Sequence, residues 1–149
     1  MSSERPSPAL RQRVIARAQG CCEYCFAQRQ FSSDPFSIEH VVPRSHGGSS
    51  ESGNLALACQ GCNNCKYCHF RGVDPVSGAE VALYNPRADI WSEHFAWNSL
   101  YTEIMGLTAR GRATALRLRL NRPELVALRK ILAAAGLHPP AYPTSRANP

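Results

Sequence analysis

Apolar positions recur at helical spacing between Ala9 and Gln19, where Leu10, Val14, Ile15 and Ala18 share one side and Arg11, Arg13 and Arg17 fall mostly on others. The pattern predicts an amphipathic helix stopped by Gly20. Cys21 to Cys25 reads as a tight turn, followed by a loop through Asp34-Pro35. β-Forming residues with partial alternation over Phe36–Val42 predict a strand ended by Pro43, and the Gly- and Ser-rich stretch Ser45–Gly53 predicts a loop. Leu55-Ala56-Leu57-Ala58 is short and wholly apolar, as a returning strand would be, and a helix is expected from near Asn63. The predicted order is strand, loop, strand, helix.

Beyond Arg71 the pattern changes. Asp74-Pro75 and Ser77-Gly78 mark turns, Val81–Tyr84 suits a short strand, and Trp91, Phe95 and Trp97 supply bulk for packing. Thr108 is placed to cap a helix running through Leu116, Leu118 and Leu120 to Asn121. Asn121-Arg122-Pro123-Glu124 then opens another, with Asn121 as its cap and proline early in its first turn. The chain thus divides into a polar lead-in (1–8), a core (9–72), an extension with short strands and two basic helices (73–137) and a proline-rich tail (138–149).

A length of 149 residues suits one domain, or a compact catalytic module with an accessory region. The formal charge of +6 favours polyanionic partners. Seven cysteines, an odd number, and a polar N-terminal stretch argue against a secreted disulfide framework and for a cytoplasmic protein. In a reducing compartment, closely spaced cysteine pairs are metal ligands more often than disulfides. No apolar run approaches the ~18 residues of a membrane span.

Cys22-x2-Cys25 and Cys59-x2-Cys62 are the strongest metal signal, because each two-residue gap lets both thiolates of a turn face one ion. Two such knuckles complete a tetrahedral Zn2+ site with no open position, so the zinc is expected to be structural. Cys65 and Cys68 extend the second pair into a run that resembles part of a bacterial ferredoxin motif. That alternative leaves Cys22 and Cys25 unused and lacks the proline that usually follows the last cluster ligand.

Metal-assisted phosphodiester cleavage needs a base for water, a hard cation, and oxygen ligands to hold the cation. Between the knuckles, His40 is the candidate base, Glu39 a carboxylate ligand and Asn63 a carbonyl ligand at a helix N-terminus, whose amides also favour phosphate. Asn54 is placed to bond loop backbone and orient His40. Neighbours on a regular strand face opposite sides, so Glu39 and His40 serve one site only if the strand ends or bends there.

The ordered set Glu39-His40-Val41-Val42-Pro43-Arg44-Ser45-His46-Gly47-Gly48, Asn54-Leu55-Ala56-Leu57-Ala58-Cys59 and Cys62-Asn63-x2-Lys66 resembles the core of the HNH endonuclease family over residues 10–70. The likeness is strongest to zinc-containing bacterial members that begin with an arginine-rich helix and a Cys-x2-Cys knuckle. It implies an α+β fold: a ββα-metal (His-Me finger) core stapled by a four-cysteine zinc site and flanked by helices. It further implies hydrolysis of DNA, expected to be double-stranded, with Mg2+ or another divalent cation. Under it His40 matches the general base, Asn54 the loop-ordering Asn and Asn63 the third motif residue, while Glu39 stands where Asp is more usual. Lys66 matches a basic position that contacts phosphate, and Arg44 is grouped with it as a nucleic-acid contact. The segment from Val73 to Trp97 resembles an extension of a bacterial subset.

Arg110, Arg112, Arg117, Arg119, Arg122, Arg129 and Lys130 in the last helices, with Arg11, Arg13 and Arg17 in the first, form either a phosphate-contacting face or a solvated one. The competing function is a non-catalytic zinc module that binds nucleic acid or a protein.

Overall fold

The computed structural model describes residues 5–141. Helix α1 (Pro8–Arg17) starts on Ser7, whose hydroxyl accepts from Leu10 N at 3.2 Å, with Pro8 in the first turn, where a missing N–H costs nothing. Its apolar side packs on an antiparallel ribbon of β1 (Ser37–His40) and β2 (Leu55–Ala58), in register Ser37 to Ala58 and His40 to Leu55. All four residues of β2 are buried, which explains its lack of alternation: both faces of the strand are covered. Helix α2 (Gln60–Lys66) follows directly. The strand, strand, helix order read from the sequence is present.

The extension adds two further ribbons, β3 (Arg71–Val73) with β4 (Glu80–Ala82) and β5 (Phe95–Trp97) with β6 (Ile104–Gly106), and helices α3 (Trp91–His94), α4 (Ala109–Arg117) and α5 (Pro123–Ala134). Tyr84, Trp91, Phe95 and Leu118 join one core with Val14, Leu55 and Leu57, so the extension is packed into the same interior as the first half. Each fully buried side chain of this kind contributes about 1.5–3 kcal/mol. Among the described residues, no helix is long and apolar enough to cross a membrane.

Several boundaries depart from the sequence reading. Strand β1 stops at His40, two residues early, because Val41 N turns to bond Asn54 O and Val42 N bonds the Asn54 side chain. Helix α2 begins three residues before Asn63: Cys59 is its cap and its sulfur accepts from Cys62 N at 3.4 Å. Asn63 is therefore the fourth residue of α2, and the helix N-terminus lies at Gln60 and not beside Asn63. Helix α4 starts on Thr108 as expected but ends at Arg117. Asn121 does not cap α5; its amide instead pairs with both backbone groups of Ile104 on β6, at 2.7 and 2.8 Å, and Arg122 takes the cap position. The tail opens docked: His138 Nε2 lies 2.8 Å from Tyr101 O, and its ring packs edge-on against Trp97. The remainder of the lead-in and tail, residues 1–4 and 142–149, lies outside the described residues.

Candidate functional site

The two knuckles converge. Sulfurs of Cys22, Cys25, Cys59 and Cys62 all lie within 4.8 Å of one another and all four residues are buried. Zinc with Zn–S bonds of ~2.3 Å in a tetrahedron spaces its sulfurs about 3.8 Å apart. Cys25 and Cys59 are separated by 3.6 Å, close to that spacing, and four buried thiols at this range are a donor set that suits zinc. Cys65 and Cys68 are outside this group, which removes the geometric basis of the ferredoxin-like alternative. Without a metal, hydrogen bonds from Cys22 and Cys25 hold the Cys59 thiol far below its ordinary value, while burial pushes Cys22 up.

Parts of the chain that sequence reasoning had not linked close over the cluster. Arg122, from the extension, is buried and points its guanidinium at Cys59 Sγ (3.6 Å) and Cys62 Sγ (3.8 Å), with Leu118 O and Arg119 O accepting from its other edge. It lies so close to Gly61 that a Cβ there would sit 2.5 Å from Arg122 Nη2. Inside the first knuckle, Glu23 exchanges hydrogen bonds with Leu57 of β2 through its own N–H and its Oε2, and its other oxygen pairs with Arg87. Trp91 Nε1 donates to Tyr24 O.

At the other end of the ribbon, a cleft of about 340 Å3 is lined by Ile38, Glu39, His40, Arg44, Asn63 and Tyr67, among others. Here β1 ends, so His40 is partly exposed at its mouth, with Nε2 3.0 Å from Ser50 Oγ. Partial burial and the nearby cations Arg44 and Lys66 hold the imidazole below its usual pKa, which keeps it neutral at pH 7. Asn54 ties the intervening loop together: its Oδ1 accepts from Val42 N (2.9 Å) and its Nδ2 donates to Val42 O (3.0 Å) and Ser49 O (2.8 Å). Gly48 is required at this crossing, since a Cβ would lie 1.7 Å from Val42 O.

Glu39 and Lys66 are placed differently from the sequence expectation. Glu39 is 5 % exposed; one carboxylate oxygen accepts the Tyr24 hydroxyl and the other the Lys66 ammonium at 3.0 Å. Burial raises its pKa, with Lys66 and Tyr24 opposing the rise. Lys66 is 1 % exposed and spends its remaining donors on His40 O (3.1 Å) and Val41 O (2.9 Å). It holds the end of β1 from inside and has no surface to offer a phosphate. The cleft consequently presents the Asn63 amide and the His40 ring, while both carboxylate oxygens of Glu39 are engaged by Tyr24 and Lys66. Glu39, offered by the sequence as a cation ligand, thus carries two internal partners, while Asn63, the other ligand offered, lines the cleft. Tyr24 was missed because it sits between two cysteines, where a turn residue is the default reading.

Residues 22–68 match the HNH endonuclease family model. The matched segment runs from the first knuckle through both strands of the β1–β2 ribbon and α2 to Cys68, and so contains the four-cysteine cluster and the cleft. No curated protein and no solved structure matches the chain. The HNH match points to a nuclease-type or nucleic-acid-related function for this segment.

The basic residues divide sharply around the HNH segment. Arg11 and Arg17 donate to backbone carbonyls of Phe36, Ser52 and Leu55, Arg110 pairs with Asp89, Arg112 with Asp74, and Arg129 bonds Thr102 O and Leu120 O. These act within the fold. Arg13, Arg44, Arg117, Arg119 and Lys130 remain exposed.

Proposed function

We propose that the protein is an endonuclease that hydrolyses DNA phosphodiester bonds, with His40 as the general base. The observation that carries this reading is the His40 imidazole on the cleft lining at the open end of β1, 3.0 Å from Ser50 Oγ, inside a segment matched to the HNH family. His40 takes a proton from water, the resulting hydroxide attacks phosphorus, the P–O3′ bond breaks on the far side, and the departing 3′ oxygen takes a proton from solvent water, its charge offset by the divalent cation that the reaction would require. Arg44, exposed on the cleft rim, places positive charge beside the phosphate. Asn54 keeps the loop that carries Ser50, the hydrogen-bond partner of His40, folded against Val42. The four-cysteine cluster holds a structural Zn2+ that ties the knuckle before β1 to the start of α2.

The test is nicking of supercoiled plasmid by wild type and His40→Ala, with Mg2+, with Mn2+ and in EDTA. Nicking by wild type alone is expected, and equal nicking by both proteins would remove His40 from the mechanism.

A second reading is favoured by one observation, the commitment of Glu39 to Lys66 and Tyr24. On it the segment is a zinc module that binds nucleic acid without cutting. DNA binding with no nicking under any of these metals selects it.

A further inference from the structure

Tyr67 is the most exposed large apolar side chain among the described residues, at 77 %, and it stands on the rim of the cleft that contains His40 and Asn63. Its backbone is strained. Lys66 O accepts from His69 N at 2.9 Å, closing a turn in which Tyr67 occupies the second position with φ 50° and ψ −122°. Those angles belong to the type II′ turn, where glycine is the residue of least cost. The fold takes nothing in return from the ring: among the described residues its hydroxyl has no hydrogen-bond partner, and its only ring neighbour is His69, 6.4 Å away and tilted by 57°. A strained, unpacked aromatic beside a candidate reactive site points to a ligand.

Resting on the nucleic-acid reading of the site, we propose that Tyr67 is a stacking platform for an unpaired DNA base next to the phosphate held at His40. The turn that presents the ring is fixed to the site. Lys66, its first residue, is bonded to His40 O and Val41 O, so the start of the turn is anchored to the end of β1 beside His40. Arg44, elsewhere on the cleft lining, supplies the cation for the backbone of the same strand. A base inside a duplex has both faces covered by its neighbours, whereas a single-stranded or extruded base offers a free π-face, and any base will serve. The substrate class is therefore DNA with an unpaired nucleotide at the cut, recognised without sequence preference at that position.

The experiment measures binding of the full zinc-loaded chain, in a buffer without added Mg2+ or Mn2+, to a single-stranded oligonucleotide carrying 2-aminopurine and to its duplex. Wild type, Tyr67→Phe and Tyr67→Gly are compared, with thermal melting of each. Quenching of the single strand by wild type is expected, with Tyr67→Phe within about twofold in affinity. Tyr67→Gly should lose roughly five- to 150-fold in single-strand affinity, the range for one stacked base. It should melt no lower than wild type, since glycine relieves the turn. Equal single-strand affinity of Tyr67→Gly and wild type overturns the platform, as does a loss shared by Tyr67→Phe or a fall in melting temperature of the Gly variant. If those results appear while His40-dependent nicking persists, only the platform fails; no binding of wild type to either DNA sinks the nucleic-acid reading with it.

Discussion

Replacing Lys66 with methionine separates two roles for the same residue. In the fold Lys66 is a buried cation with three acceptors, and its partner Glu39 is equally buried, with side chains 2 % and 4 % exposed. Methionine matches the stem but leaves the Glu39 carboxylate without its counter-charge and two carbonyls without a donor. Breaking one partner of such a buried pair costs about 3–5 kcal/mol. For a chain of about this length the melting temperature should fall by roughly 6–20 °C. Glu39 already titrates above its ordinary 4.5, and loss of Lys66 raises it further. A carboxyl with a raised folded pKa contributes stability below its unfolded value that is lost as pH rises through the folded one. The destabilisation should therefore be smallest near pH 4.5 and grow towards neutral pH. Adding Glu39→Gln removes the orphaned charge, so the double variant should recover part of the loss. The assay is thermal melting of the four proteins from about pH 4.5 to 8, together with the salt dependence of DNA binding. If Lys66 contacted phosphate, Lys66→Met would lower the salt slope by about one and leave stability nearly unchanged. That outcome would refute the buried role.

Three other results follow from the geometry. Arg122→Leu should speed transfer of zinc to a chromogenic chelator and thiol alkylation at Cys59 and Cys62, because the guanidinium that offsets thiolate charge is gone; an unchanged release rate would show that the sulfur contacts do not matter. Asp74 is held far below its usual 3.8 by Arg112 and Ser77, so it stabilises the fold above that pH, and the advantage is lost as pH falls through its lowered value; the stability gap between wild type and Asp74→Asn should narrow below pH 3.8 in acid titration. The acidic limb of the nicking rate should lie below pH 6.5, and Arg44→Gln should move it up towards 6.5 by removing one of the charges that depress His40; a limb that stays in place argues against His40 as the titrating group.

Local chemistry made much of the HNH segment legible. Two Cys-x2-Cys turns need only each other to define a site, and Leu55–Ala58 forms the expected strand; beyond the segment, Thr108 caps the helix it was expected to cap. Side chains whose partners lie far along the chain were not legible. Arg122 is 60 residues from Cys62, and nothing near it distinguishes it from the solvated arginines of the last helices. Lys66 stands 27 positions from Glu39, and a lysine at a helix end defaults to the surface. Asn121 reads as a cap by type and spacing, but tertiary pairing with Ile104 took its amide. Tyr67 gave no sign because turn strain is a property of φ and ψ, which a tyrosine in the sequence does not advertise.

These long-range contacts link the four-cysteine cluster to the cleft. Tyr24 lies within the Cys22–Cys25 turn, and its hydroxyl donates to Glu39; Glu39 in turn holds Lys66, whose ammonium grips the His40 carbonyl. Three side chains thus connect the cysteine knuckle to the backbone carbonyl of the candidate base through hydrogen bonds in a buried, low-dielectric interior, where loss of one partner exposes the rest to full desolvation cost. Arg87 and Trp91 press on the same knuckle from the extension through Glu23 and Tyr24 O. Zinc removal should therefore loosen His40 and not only the protein's N-terminal part. The ring protons of His40 should broaden or shift in NMR on chelation. A His40 signal that does not respond to zinc would uncouple the two ends of the ribbon and reduce the cluster to a remote staple.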